Sequence, residues 1–353
     1  MRKSVNKLER DQLFDLDQFF KIQFNGKSRY GTMGSFFWKI FINPFGKGFV
    51  NAIHHDAKIV ATTSITPKKL LINQMEISAG EIGDTYTDRK FQGRGFFSLL
   101  VNESRQMAKN SGIKLIYGTP NNQSLPGYIK NNGFKIVNEI QIKSYRFELK
   151  VYNILYKKVG KFFASILNSI FYLFILLLNS FLYILQPINK NYKLESTNYL
   201  DKNWNVFWNE VSEEWDFIFS RNYVDLNWRY FLNPEIYSFI IVKEEEKIVG
   251  YTVYRILPDK IGNRAVIADF LFLKNHNKAF NTCIKEIKKH CIDLDLNSIT
   301  IWCDSNSPYK KIIIKNGFIA FREIPLICYI NDFLMNIKWG KKIHFTMSDS
   351  DNI

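Results

Sequence analysis

The stretch Phe91-Gln92-Gly93-Arg94-Gly95-Phe96-Phe97-Ser98 decides the fold of this chain. Before it, Ser78–Asp84 has the small and acidic residues of a candidate strand. After it, apolar residues recur at helical spacing, at Phe96, Leu99, Leu100, Met107 and Ala108. A strand, a glycine turn and a helix together offer backbone N–H groups and the positive end of a helix dipole to an anion. The stretch therefore predicts a site for a phosphate-bearing ligand.

Two common nucleotide motifs are excluded. The chain has no Gly-x-x-x-x-Gly-Lys-Ser/Thr, so this turn is not a P-loop. Gly93 and Gly95 lack the third glycine of the dinucleotide fingerprint, and no strand–helix repeat with a ribose-binding acid follows them. Instead, a short strand (Ile113–Tyr117), an asparagine turn (Pro120–Ser124) and a short helix ending at Asn131–Phe134 follow.

This order of elements resembles the GNAT acyltransferase superfamily. Its acyl-CoA signature, Gln/Arg-x-x-Gly-x-Gly/Ala, corresponds to Gln92–Phe97, and its later Gly-Phe corresponds to Gly133-Phe134. The sequence departs from the signature at Phe97, where the family has a small residue that allows tight helix packing. The resemblance implies an α/β (α+β) fold with a mixed, mostly antiparallel central sheet flanked by helices. It also implies acetyl-CoA or another acyl-CoA as cosubstrate, and no metal.

The resemblance further implies direct attack of an acceptor amine on the thioester, without a covalent enzyme intermediate. The residues that would present main-chain N–H groups to the CoA pyrophosphate are Gln92, Gly93, Arg94, Gly95, Phe96 and Phe97. A carboxylate on the central strand would accept the amine proton, directly or through water. Glu81 and Asp84 are the candidates, with Glu81 slightly preferred because Asp84 has the alternative role of a buried structural acid.

The departing thiolate needs a proton or a hydrogen bond. Many family members use a tyrosine four residues before the glycine of Gly-Phe, and that position is Ile129 here. Tyr128 lies one residue away, so we expect its hydroxyl to reach the site only if the short helix shifts its register. Asn121 and Asn122 are alternatives, as donors to the pantetheine arm or to the leaving group.

An internal repeat extends the resemblance to the second half of the chain. The matched blocks are Trp38–Pro44 with Trp228–Pro234, Lys58–Ala61 with Lys247–Gly250, and Lys130–Phe134 with Ile314–Phe318. They predict two tandem GNAT-like domains, at 1–150 and 194–335, joined by an apolar helical linker at 151–193 and followed by a tail at 336–353. Because Trp38 and Trp228 occur in both copies, we interpret them as architectural.

The second copy departs at the place where chemistry matters. After Ala265–Phe270 it continues as Leu273–Phe280, without a glycine turn. We expect this copy to bind no acyl-CoA and instead to complete the acceptor site or stabilise the first domain. Residues after about Trp339 are polar, and we expect them to be frayed.

Residues 162–189 carry no charged side chain and are long enough to span a bilayer, which takes about 20 residues. Lys157, Lys158 and Lys161 precede the segment. Three interpretations stay open, namely a helix or helical hairpin at the membrane interface, a buried linker helix, and a true span. A single span would separate the two repeats across the membrane, which disfavours it.

Composition sets wider limits. The chain has 353 residues, is 46% hydrophobic and carries a net charge of +15, most of it in residues 1–150. This charge suits an anionic cofactor, an anionic substrate or a membrane surface. The four cysteines (Cys283, Cys291, Cys303 and Cys328) have no metal-binding spacing, and we interpret them as reduced core thiols. The polar start Met1–Arg10 predicts no signal peptide, so we expect a cytoplasmic protein, free or peripheral at the inner face of the membrane.

The sequence therefore favours an acyl-CoA-dependent N-acyltransferase, most simply an N-acetyltransferase. Its acceptor would be a small-molecule or glycan amine, such as an amino sugar or another cell-surface glycan precursor. One alternative is a Fem-like transferase that uses aminoacyl-tRNA, which the basic first half would suit. The other is a non-catalytic, membrane-associated GNAT-like scaffold. No DNA partner is expected, and tRNA is a partner only under the first alternative.

Overall fold

The computed structural model describes residues 4–24, 33–185, 191–331 and 337–350. The chain forms two units, each assembled from separate segments. The first unit contains residues 1–141, 216–236 and 324–341, and the second contains residues 142–215, 237–323 and 342–353.

The strands are β1 (Asn6–Lys7), β2 (Phe49–His55), β3 (Lys58–Ile72), β4 (Met75–Thr87), β5 (Leu115–Gly118), β6 (Lys135–Ile136), β7 (Ile142–Glu148), β8 (Tyr192–Thr197), β9 (Phe217–Phe219), β10 (Ser238–Glu244), β11 (Lys247–Pro258), β12 (Asn263–Phe272), β13 (Ser298–Asp304), β14 (Ile319–Ile324), β15 (Ile327–Ile330) and β16 (Ile343–His344). The helices are α1 (Leu13–Gln23), α2 (Met33–Phe41), α3 (Phe96–Asn110), α4 (Leu125–Asn132), α5 (Tyr152–Leu185), α6 (Trp204–Ser212), α7 (Tyr223–Leu226), α8 (Asn277–Asp293) and α9 (Tyr309–Lys315).

The sheet of the first unit has the strand order β1-β2-β3-β4-β5-β15-β6, and β9 pairs with the end of β3. Most of its pairings are antiparallel, whereas β4 and β5 run parallel and are connected by α3. Val101 and Ala108 on α3 lie in one buried cluster with Phe49, Ile65 and Ile82 of the sheet. Full burial of a valine, isoleucine or phenylalanine side chain contributes about 1.5–3 kcal/mol to the free energy of folding. This cluster therefore fixes α3 and the turn that precedes it.

The sheet of the second unit has the order β14-β7-β13-β12-β11-β10-β8. Here β12 and β13 are the parallel pair, and α8 connects them. Each unit thus contains a strand–helix–strand element within a mostly antiparallel sheet. The predicted class, a mixed α/β fold with two such sheets flanked by helices, is confirmed.

One expectation about strand order was wrong. The alternating apolar residues of Lys135–Leu149 predict the closing strands of the first domain, but β7 pairs with β13 in the second sheet over its whole length. In the first unit β15, from near the end of the chain, pairs with β5 and β6. Such non-local pairing leaves no signal in a local hydrophobic pattern. The predicted domain boundaries at residues 150, 193 and 335 stay a prediction.

The apolar linker forms α5. The helix carries non-helical backbone angles at Gly160, where two helical segments meet at a kink. Among the described helices, one stretch within α5, Tyr152–Ser180, is long and apolar enough to cross a membrane by length and composition, and its most apolar 18 residues have a mean hydropathy of 2.0.

The end of the chain is not frayed over the residues that the structure describes. Ile343, Phe345 and Met347 are buried, and Thr346 donates its hydroxyl to Asp269 at 3.0 Å. A capping box between Thr346 and Asp349 closes a 3₁₀ turn at Met347–Asp349. The expectation of fraying failed because these apolar residues bury their surface in the second unit. The four cysteines are free and buried, as predicted for core thiols, and burial raises the pKa of each to about 12.

Candidate active site

The predicted glycine turn lies between β4 and α3. Gly93 and Gly95 have φ angles of 76° and 79°, and Gly95 is the N-cap of α3. Side chains rarely adopt this left-handed conformation, so glycine is required at both positions. No atom lies within 4 Å of where a Cβ would sit on either glycine, so the turn opens to its surroundings. The first N–H groups of α3 therefore lie at an open turn that suits an anion.

The side chains of this turn brace it. The Gln92 side chain donates to the carbonyl of Thr87 at 3.1 Å. The Arg94 guanidinium donates to the carbonyl of Lys90 at 3.3 Å and lies over the ring of Phe91. These contacts fit the prediction that the turn presents its main chain to a ligand.

The central strand carries a β-bulge beside this turn. Opposite β3 the register shifts between Thr62 and Ser64, and Asp84 adopts a φ of 49°. The β4–β5 ladder ends at Glu81 and Tyr117, whereas β4 continues along β3 to Thr87. The bulge and the end of the ladder mark the place where β4 leaves its parallel neighbour, and such bulges re-aim side chains near active sites.

Asp84 is buried and paired with a lysine. Its Oδ2 accepts from Lys39 Nζ at 2.6 Å and from the Ser64 hydroxyl at 2.6 Å. Its Oδ1 has no hydrogen-bond partner among the described residues. The predicted alternative role, a buried structural acid, therefore has a defined partner, and one carboxylate oxygen remains for a ligand.

Glu81 is also buried beside a lysine. Lys68 Nζ lies 3.4 Å from Glu81 Oε2, and the same ammonium lies over the ring of Trp228. Trp228 stacks on Trp38 of α2, with ring centroids 4.6 Å apart. Both candidate bases therefore lie on the α2 side of the first sheet. Neither is assigned as the base by these contacts, and that role stays a prediction.

Tyr128 lies at the bulge. Its hydroxyl is 2.7 Å from the hydroxyl of Thr85, the residue after Asp84. The Thr85 hydroxyl also lies 2.7 Å from the hydroxyl of Thr63. Burial raises the pKa of Tyr128, and the nearby Asp84 charge acts in the same direction, while the hydrogen bond from Thr85 opposes them. A tyrosine held neutral in this way is suited to donate a hydrogen bond to a leaving thiolate.

The departure at Phe97 is accommodated by a second glycine. The Phe97 ring packs edge-on against Tyr128, with centroids 4.9 Å apart. A Cβ on Gly127 would lie 2.8 Å from this ring. Gly127 thus takes the part of the missing small residue, so α3 and α4 still pack closely.

Asn121 has a local structural role. Its side-chain oxygen accepts from the main-chain N–H groups of Gln123 and Ser124, both at 3.0 Å, just before α4. Asn122 is exposed on the same turn. Their contact with a cofactor stays a prediction.

Sequence reasoning missed Lys39, Lys68 and Thr85, because their contacts join residues far apart in the chain. One signal was present, since Lys39 and Arg229 occupy the same position in the repeated Trp motif. The architectural role of that motif has clear support. Trp38 and Trp228 each donate an indole N–H to the other's carbonyl, at 2.7 and 3.3 Å.

Residues 7–137 match the model of the acetyltransferase (GNAT) domain. No curated protein matches the sequence significantly.

Solved structures resemble the whole chain at low identity. A GCN5-related N-acetyltransferase from Anabaena variabilis is 13% identical, with a TM-score of 0.62 over 94% of this chain and 73% of its own. The N-myristoyltransferase of Saccharomyces cerevisiae with bound myristoyl-CoA is 11% identical, with a TM-score of 0.62 over 94% of this chain and 83% of its own. A tandem GNAT protein from the clavulanic acid biosynthesis pathway is 8% identical, with a TM-score of 0.60 over 93% and 99%. At these identities the likeness shows the fold, and it supports the two-domain architecture.

Proposed function

Since residues 7–137 form a domain of the GNAT acetyltransferase family, we propose that this protein is an N-acyltransferase. It transfers an acyl group, in the first instance acetyl, from acyl-CoA to an amine. The observation that carries the proposal is the opening of the glycine turn beside the Asp84 bulge. The Phe97–Tyr128 contact joins these two features directly.

The acyl-CoA would bind with its pyrophosphate at Gln92–Phe97, where the main-chain N–H groups and the N-terminus of α3 favour negative charge. The pantetheine arm would then run along the place where the β4–β5 ladder ends. In this arrangement the thioester reaches the Asp84 bulge and the Tyr128 hydroxyl.

The reaction is direct transfer. The amine nitrogen attacks the thioester carbonyl, a C–N bond forms and the C–S bond breaks. The proton lost by the amine passes to a carboxylate on β4, directly or through water. The Tyr128 hydroxyl donates a hydrogen bond to the departing CoA thiolate, which then takes a proton from solvent. Asp84 is the better placed carboxylate, because its Oδ1 is available and its neighbour Thr85 contacts Tyr128. Glu81 remains the second candidate.

For the acceptor we propose an amino sugar or another cell-surface glycan precursor. Asp84 Oδ1, which has no hydrogen-bond partner among the described residues, supports an acceptor that brings an amine donor to this place. A panel of amino sugars, polyamines and peptide amines, assayed by release of free CoA thiol, ranks these classes. A preference for peptide amines over amino sugars contradicts this choice and leaves the transferase proposal intact.

The test of the function is calorimetric titration with acetyl-CoA and with a long-chain acyl-CoA. Gly95→Glu puts a negative side chain where the pyrophosphate would lie. We expect affinity to fall at least about 100-fold, since the variant exchanges an attractive helix terminus for charge repulsion. Gly112→Glu is the matched control, because Gly112 ends the same helix with a φ of 77° and equally open space.

The control is expected to bind acyl-CoA as the wild type does while carrying the same backbone strain. Equal loss of affinity in both variants would attribute the effect to strain and contradict the assigned site. A wild-type protein that binds no acyl-CoA overturns the acyltransferase proposal, and salt-sensitive binding of aminoacyl-tRNA would then identify the Fem-like alternative.

A further inference from the structure

The outward face of α5 is apolar. Ala164 and Ile175 mark the side of the helix that is buried in the protein. On the opposite side, at helical spacing, seven apolar residues are between 42% and 63% exposed, namely Phe163, Ile166, Leu167, Ile170, Leu173, Phe174 and Leu177. A surface helix normally places polar residues there. A contiguous patch of this kind marks an interaction surface.

The two ends of α5 belong to one sheet. The helix follows β7 and precedes β8, and both strands lie in the sheet of the second unit. Near its start, Asn153 donates to the carbonyl of Ile261 at 3.0 Å, which ties the helix to the β11–β12 turn. A helix that leaves and rejoins one sheet cannot cross a bilayer once, because a single crossing would put β7 and β8 on opposite sides.

The kink at Gly160 turns α5 into a helical hairpin. The Asn168 side chain accepts from the main-chain N–H groups of Val151 and Tyr152, at 2.9 and 3.0 Å, so the second segment folds back along the first. Phe162, beside the kink, is 73% exposed. The hairpin therefore presents its turn and the long face of its second segment outward.

The charge around this face has one sign. Residues 149–194 contain no aspartate or glutamate. Lys157, Lys158 and Lys161 are exposed around the kink. An apolar helix face with lysines beside it matches the surface of a bilayer that contains anionic lipid, since the side chains enter the acyl region and the lysines meet the headgroups.

We propose that the outward face of α5 binds the surface of an anionic lipid bilayer, lying in the interface without spanning it. The protein would then be peripheral. The inference does not depend on the proposed function, because its readout is vesicle binding.

The test is co-sedimentation of the full chain with phosphatidylcholine vesicles, with and without phosphatidylglycerol. We expect binding to the anionic vesicles. Ile170→Glu with Leu173→Glu should lower the partition coefficient at least about tenfold, because both apolar contacts with lipid are lost. Lys157→Gln with Lys158→Gln should lower it about fivefold per lysine on anionic vesicles and leave neutral vesicles unaffected.

The matched control is Val206→Glu with Ile319→Glu, which changes two other exposed apolar residues, 73% and 75% exposed, outside α5. This control should bind vesicles as the wild type does, and thermal melting checks that every variant is folded. Equal binding by the α5 variant and the control would overturn the proposal. A wild type that ignores vesicles but sediments as a dimer, which Ile170→Glu dissociates, would also overturn it and assign the face to a second copy of the chain.

Discussion

The two strand–helix–strand elements differ most at the start of their helices. In the first unit two glycines with left-handed backbone leave the N-terminus of α3 open. In the second unit a carboxylate of the protein itself lies before α8, where Glu214 Oε1 accepts from the N–H of Lys274 at 3.1 Å. Partial burial raises the pKa of Glu214. The same strand–helix–strand element can thus leave its main-chain N–H groups open to an anionic ligand, or bond them to a carboxylate of the protein.

The space beside the central strand differs in the same way. In the first unit Asp84 and Tyr128 flank the place where β4 leaves β5. In the second unit Tyr309 bonds both the N–H and the carbonyl of Phe272, and Thr346 bonds Asp269. The His344 ring packs against Tyr309. Residues 344–346 thus pack beside β12 in the second unit, and the absence of acyl-CoA binding by this copy stays a prediction.

The largest expected effect separates the two central acids. Asp84→Ala removes the carboxylate that Lys39 contacts at 2.6 Å, so the free energy of unfolding should fall by about 3–5 kcal/mol. Asp269→Ala should cost less, about 1–3 kcal/mol, because Asp269 accepts from the hydroxyls of Tyr251 and Thr346. Urea denaturation measures both.

A double variant sharpens this test. Lys39→Met with Asp84→Leu removes both members of the pair and should recover most of the loss. If Asp84→Ala and Asp269→Ala cost the same, or if the double variant is no more stable than the single one, the pair does not stabilise the first unit in this way.

The two tyrosines come next. Tyr128→Phe should lower kcat about 100-fold or more while leaving acyl-CoA affinity unchanged, because it removes a hydrogen-bond donor to the departing thiolate and little packing. Tyr309→Phe should leave kcat within about twofold and cost about 1–3 kcal/mol of stability, since it leaves the N–H of Phe272 without that partner. Burial raises the pKa of Tyr128, so wild-type kcat should show no loss from its deprotonation up to about pH 10. The reverse pattern would mean that the catalytic tyrosine lies in the second unit.

The smallest effect concerns two cations in corresponding places. Arg105 donates to the carbonyl of Asn132 and lies over Tyr329, while Lys288 donates to the carbonyl of Asn316 and lies over Phe147. Arginine stays charged at any working pH. Burial, with a smaller contribution from Lys285, lowers the pKa of Lys288 to about 7.

Lys288 therefore makes stability depend on pH. Between about pH 7 and the ordinary lysine value of about 10.5, the unfolded chain holds a proton that the folded chain lacks, so stability should rise with pH. Lys288→Met should flatten this rise and increase the free energy of unfolding at pH 7 by about 1–2 kcal/mol. The variant no longer buries a charge, and the loss of the hydrogen bond to Asn316 offsets part of that gain. Urea denaturation at several pH values checks it. A slope unchanged in the variant would assign the titration to another group.

The sequence predicted what local pattern and backbone chemistry determine. Gly93 and Gly95, the helical spacing after Phe96 and the repeated Trp motif were sufficient for the fold class and for the position of the turn. Tyr128 was expected to reach the site only if the short helix shifts its register, and that role stays a prediction. In α4 as formed, its hydroxyl lies 2.7 Å from the hydroxyl of Thr85. The position of Tyr128 depends on Gly127 beside Phe97, a contact between α4 and α3 that the hydrophobic pattern of neither helix predicts.

The contacts that remained unpredicted are long-range. Lys39 meets Asp84 only because α2 packs on the central strand, and Glu214 meets Lys274 across 60 residues of chain. β7 pairs in the second sheet and β15 pairs in the first, although the strand that precedes each one belongs to the other sheet. Hydrophobic periodicity specifies which face of an element is buried, but not which distant element covers it.

The segmented make-up of the two units has a consequence for synthesis on the ribosome. Many multidomain proteins fold their N-terminal domain while the rest is still being translated. Here the first sheet needs β15, and the second unit needs Ile343–Ser350 to fill its interior. The first unit cannot complete its sheet before β15 has been translated, and the second cannot fill its core before Ile343–Ser350 has been, so neither unit can fold fully as its N-terminal strands emerge.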